Sequence, residues 1–212
     1  TDPLDPDSDG DLVDDAEEVA QGRDPTVDEP ISAGQSLVDG LLLYSHMDRD
    51  SVTSLVANDM VFDLTSPSEF GRLNGNFAFI AGVAGQALRS EGGIIDYGDV
   101  HPPGSNSYTV SLWVRPEGME AGHTQVIAGK GAADESGQAS GWHLVLFGEQ
   151  FGACGGTSDG ANWVIRNDLP PAGTQAVPGE WSHLFLILDR PSETAQLLVN
   201  GTEVGRSALS PG

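Results

Sequence analysis

Cysteine, lysine and long apolar runs are nearly missing from this chain. Its single cysteine, Cys154, rules out an intrachain disulfide. A staple for an oxidising compartment would have to come from elsewhere, and calcium is a common substitute. Lys130 is the only lysine, and nine bases in all face 32 acids, for a net charge of −23. So few cations cannot neutralise phosphates, so neither nucleic acid nor an anionic membrane is an expected partner. Self-repulsion of this size calls for divalent cations, high salt or both. No apolar run approaches the roughly 20 residues needed to span a bilayer, so membrane insertion is not expected either. There is no secretion signal pattern. The chain opens at Thr1-Asp2-Pro3, inside a motif, as a piece of a longer polypeptide with further domains would.

Composition separates three regions. Residues 1–30 are acidic and almost free of large apolar groups, and cannot bury a core of their own without a ligand. Residues 31–40 form a short join. From residue 41 to 212 the texture is short apolar runs punctuated by Gly, Pro, Asn and Asp, which indicates an all-β domain. Strands are expected at 41–44, 60–64, 93–97, 108–116, 142–147, 162–165 and 181–188. In 108–116 the alternation puts Val110, Leu112 and Val114 on one face. A hairpin is expected over 195–204, where Asn200-Gly201 suits a two-residue type I′ turn. Gly155-Gly156 and Gly92-Gly93 read as turns. The only helix candidate is 14–21, stopped by Gly22.

Five stretches in order carry a family resemblance: Gly40-Leu41-Leu42-Leu43-Tyr44, Gly82-Val83-Ala84-Gly85-Gln86-Ala87-Leu88, Tyr108-Thr109-Val110-Ser111-Leu112-Trp113-Val114-Arg115-Pro116, Gly179-Glu180-Trp181-Ser182-His183-Leu184 and Leu198-Val199-Asn200-Gly201. Together they resemble a laminin-G-like domain of the concanavalin A-like class, from about Gly40 onward. The resemblance implies a two-sheet antiparallel jelly-roll sandwich. It implies core positions for Trp113 and Trp181, with Trp142 and Trp163 nearer to loops and to the surface. His183 would pack or bond within its sheet. The family's closing strand follows the Asn-Gly hairpin, and this chain stops at Gly212. That strand is expected to be missing, through truncation or because a partner segment supplies it. A rim calcium of the family kind would fall near Asp48, Asp50 and Asp63, which read first as exposed loop acids.

The acidic segment has a register of its own. Counted from Asp7 as position 1, Asp9 is 3, Asp11 is 5, Val13 is 7, Asp15 is 9 and Glu18 is 12. These are the ligand offsets of an EF-hand-type calcium loop, with a backbone carbonyl at position 7 and a bidentate carboxylate at 12. Counting from Asp5 puts Gly10 at the turn but leaves Val13 and Ala16 where side-chain oxygens are required. The Asp7 register is therefore preferred, with Leu12 standing where glycine is the rule. The flanking Asp2-Pro3 and Asp24-Pro25 make the stretch resemble a bacterial thrombospondin type 3 repeat, a calcium-binding linker. The competing reading is a solvated acidic tail.

Catalytic patterns are lacking. No strand carries the alternating carboxylates of a glycoside hydrolase, and Glu117 and Glu120 read as solvated loop acids. His46, His101, His123, His143 and His183 show no metal-ligand spacing, and Cys154 has no neighbouring histidine in sequence. The expectation is a non-catalytic, calcium-binding adhesion module of a secreted or cell-surface bacterial protein. It would bind a glycan or an extracellular protein through rim loops. The alternatives are an accessory carbohydrate-binding domain of an extracellular polysaccharide-degrading enzyme, or a structural spacer in a large adhesin.

Overall fold

The computed structural model describes residues 59–62, 70–98, 106–118, 123–131, 141–156, 162–167 and 169–209, with six isolated positions before residue 50. Eleven strands in these residues form three antiparallel sheets. The first has the order β1-β2-β3, from β1 (Asp59–Phe62), β2 (Phe70–Ala81) and β3 (Gln86–Asp96). The second has the order β11-β10-β9-β4, from β4 (Tyr108–Val114), β9 (Ser182–Asp189), β10 (Thr194–Val199) and β11 (Thr202–Ala208). The third runs β5-β6-β7-β8, from β5 (Thr124–Lys130), β6 (Gly141–Phe147), β7 (Gln150–Gly156) and β8 (Asn162–Ile165).

Period-two alternation builds the sandwich. On β9, Leu184, Leu186 and Leu188 point inward, and on β10 Ala195, Leu197 and Val199 do the same; all six are buried. Leu144, Leu146, Phe151, Ala153, Trp163 and Ile165 meet them from the third sheet in one core cluster. Each fully buried Leu or Val contributes about 1.5–3 kcal/mol. The β10–β11 ladder shifts register between Leu197 and Leu198. That bulge turns Val204 into the core and leaves Glu203 facing out. The first sheet has a smaller cluster of its own around Val61 and Leu73.

The expected hairpin is present. Asn200 (φ 51°) and Gly201 (φ 77°) both adopt the left-handed backbone that a type I′ turn requires. The Asn200 side chain accepts a hydrogen bond from the His183 N–H (2.9 Å) and donates one to the Gly173 carbonyl (3.2 Å), tying the turn to its surroundings.

Several expectations need correction. Gly155-Gly156 is not a turn but the end of β7, and Gly92-Gly93 lies within β3, beside a ladder irregularity at Asn76. A Cβ on Gly155 would come within 2.6 Å of the Trp163 indole, so the strand carries glycine where the tryptophan packs over it. The aromatic assignments are reversed in two cases. Trp163 is 6% exposed and belongs to the core, whereas Trp113 is 50% exposed. The alternation that sends Val110, Leu112 and Val114 inward forces Trp113 outward. Of the expected strand 41–44 only Leu43 is described, and it lies outside any strand; of the helix 14–21 only Val19 is described, and it is helical.

Candidate ligand-binding face

The outward surface of the second sheet gathers aromatic and polar side chains. Antiparallel register sets Trp113 of β4 beside His183 of β9, and Ser111 beside Phe185. The indole and imidazole stack with centroids 4.8 Å apart and planes 21° apart. His183 meets Phe185 edge-on at 5.2 Å and 84°. Ser111 Oγ lies 2.8 Å from His183 Nε2 in a hydrogen bond that fixes the ring. His183 therefore bonds within its sheet as expected. Just past β4, the Arg115 guanidinium sits over the Trp181 ring at 5.2 Å. Trp181, expected in the core, is half-buried and does not join the buried core cluster.

Among the described residues, β4 is an edge strand of its sheet. His183 stacks on one face of the indole, and half of the Trp113 surface stays exposed. At the opposite end of the face, Gln196 Nε2 donates to Glu203 Oε2 (2.6 Å). Arg206 holds both Glu203 oxygens, from Nε at 2.9 Å and Nη2 at 2.8 Å. The hydrogen bond from Arg206, assisted by Gln196 and by the guanidinium charge, keeps the Glu203 carboxyl below its ordinary range. A carboxylate so held does not act as a general acid.

Cys154 acquires a histidine neighbour only in three dimensions: it pairs with His143 across β6 and β7. Burial lowers the His143 pKa, against the hydrogen bond its ring donates to the Gly131 carbonyl, and burial raises the Cys154 thiol. Both shifts favour the neutral forms, the opposite of the thiolate–imidazolium pair a nucleophile needs.

The calcium-loop candidates Asp7, Asp9, Asp11, Val13, Asp15 and Glu18 lie outside the described residues, as do Asp48, Asp50 and Asp63. Among the described residues no group of three or more His, Cys, Asp or Glu could hold a metal ion. Glu117, expected as a solvated acid, is exposed but takes Arg115 at 2.8 Å and Arg89 at 3.8 Å.

Residues 90–212 match a laminin-G family described as the concanavalin A-like lectin/glucanases superfamily. The chain belongs to this family. The matched part of the laminin-G-like domain runs from the middle of β3 through the whole sandwich. No curated protein matches the chain in sequence. Among solved structures, it is similar to the CBM40 of the Ruminococcus gnavus IT-sialidase bound to α2,3 sialyllactose. Identity there is 15% over 48% of this chain and 53% of that one, with a TM-score of 0.38. It is also similar to the binding domain of botulinum neurotoxin DC. In the complex with rat synaptotagmin II, identity is 12% over 76% of this chain and 40% of that one (TM-score 0.48). In the complex with SialylT, identity is 12% over 77% and 40% (TM-score 0.46). The laminin-G-like chain thus spans about half, or less, of the length of these structures.

Proposed function

We propose that this laminin-G-like domain is a non-catalytic binding module of a secreted or cell-surface multidomain protein, and that it engages a glycan or an extracellular protein. The observation that carries the reading is the half-exposed Trp113, stacked on His183 in a rigid sheet. A large amphipathic ring already locked in place loses little entropy when a ligand covers it. The ligand would lie on the sheet face beside the β4 edge, in place of the rim loops that sequence reasoning favoured. The ion-paired state of Glu203 supports binding without hydrolysis.

The acidic segment is proposed as a calcium-stiffened linker. Asp7, Asp9, Asp11, the Val13 carbonyl, Asp15 and Glu18 would ligate the ion and position the sandwich relative to neighbouring domains. The binding reading is tested by screening the full chain on glycan and extracellular-protein arrays, with Trp113→Ala alongside. Binding that falls by about tenfold or more in the variant, with a melting temperature lowered by no more than a few degrees, is the expected result. Hydrolase or lyase activity from the chain alone would overturn the non-catalytic reading.

A further inference from the structure

The charges bordering the Trp113 face restrict what can bind there; this inference rests on the binding reading above. Three arginines flank the face or its end, and each is already engaged by a carboxylate. Arg115 bonds Glu117 at 2.8 Å, Arg89 is paired with Glu91 and with Glu117 (3.8 Å), and Arg206 is gripped by Glu203. Three guanidinium charges thus meet three carboxylates, so these pairs add no net positive charge, and Asp189 at the end of β9 adds a carboxylate held by the Ser107 and Ser192 hydroxyls, on a chain whose net charge is −23. A sulfated, sialylated or uronate ligand would find these three guanidiniums already engaged and a repulsive surrounding field.

What the face does offer suits an uncharged sugar. The exposed side of the indole carries the negative face of its ring quadrupole, which attracts the slightly positive C–H groups of a pyranose. Along the same strand lie groups that exchange hydrogen bonds with hydroxyls: Ser111 and, one rung further along β4, Thr109, with Gln196 two strands across at the far end. From Trp113 to Thr109 the strand runs about 13 Å, enough for a short run of sugar rings to lie flat.

We propose that the Trp113 face binds an uncharged pyranose chain with an exposed C–H face and equatorial hydroxyls, and that it discriminates against anionic glycans. The Arg–Glu pairs act as charge masks that enforce this choice.

The test is titration calorimetry on the full chain with cellohexaose and xylohexaose against sialyllactose and a sulfated hexasaccharide, at about 50 and 500 mM salt. The uncharged chains are expected to bind with affinity that changes by less than about twofold across that range. The anionic ones should bind at least about tenfold more weakly at low salt. Trp113→Ala should abolish the uncharged binding, and Trp113→Phe, which keeps an aromatic face, should retain part of it. Glu117→Gln, which unmasks Arg115 while Arg89 keeps Glu91, should raise affinity for the sulfated chain several-fold, at low salt only. Trp113-dependent preference for the sialylated or sulfated chain would overturn the charge inference and leave the binding reading standing. A Trp113-dependent protein ligand, with no glycan bound, would also overturn it. Failure of every glycan and protein probe would overturn the binding reading itself.

Discussion

Two tryptophans one strand apart in type illustrate how a residue's role depends on its neighbours. Trp163 packs over Gly155 in the core and is 6% exposed; Trp113 lies half open on a histidine. Trp163→Ala is expected to cost about 3–5 kcal/mol of stability through the cavity it leaves. Trp113→Ala should cost only about 1 kcal/mol, the value of an exposed aromatic stack. Urea unfolding of both variants checks this, and a large loss for Trp113→Ala would return that ring to the core. His143 supplies a pH signature. It is buried, and burial lowers its pKa below the ordinary value of about 6.5. The unfolded chain therefore takes up a proton at higher pH than the folded one. The stabilising contribution is complete above about pH 6.5 and is lost as pH falls through that value toward the lower folded pKa. Between pH 7.5 and 5.5, wild type should lose more stability in denaturant than His143→Gln, which cannot titrate. Equal losses would remove His143 from the acid response.

At the scale of elements, the hairpin and the strands missed by sequence reasoning teach different lessons. Asn200-Gly201 was legible because a two-residue loop between strongly apolar strands leaves few turn types available. Gly201→Val must put a β-branched residue at φ 77°, and is expected to cost about 1–2 kcal/mol. Calorimetric melting measures it, and an unchanged melting temperature would mean that the turn relaxes into another geometry. By contrast β2, β5 and β7 escaped notice. The sequence Gln150-Phe151-Gly152-Ala153-Cys154-Gly155-Gly156 has low intrinsic strand propensity. It is extended because Leu144 and Phe151 need partners and because Trp163 needs the space above Gly155. That demand lies in residues distant along the chain, so no local window reveals it.

For the molecule as a whole, charge is the dominant fact. With 32 acids and nine bases, the chain is expected to gain stability from divalent ions and from salt. Removing calcium with EDTA should lower the melting temperature and expose residues 1–30 to protease. Glu18→Ala should weaken calcium binding more than Glu17→Ala, because only Glu18 stands at the twelfth position of the loop. Calorimetry that detects no calcium binding would sink the loop reading. The same charge excess leaves the Trp113 face without spare positive charge from the three arginines at its borders, since each carries its own carboxylate.

By itself the sequence determined that this is an all-β chain with antiparallel sheets, an inward face of Val110, Leu112 and Val114, and a tight Asn-Gly hairpin. Those features follow from period-two patterning and turn stereochemistry, which act over a few residues. The tertiary structure alone decided that the outward partner of Trp113 is His183, seventy residues on, that Cys154 faces His143, and that Arg115, Arg89 and Arg206 are each neutralised. Cross-strand register creates these pairs. Register between distant strands is set by the packing of the whole sandwich core, and no nearby stretch of sequence encodes it.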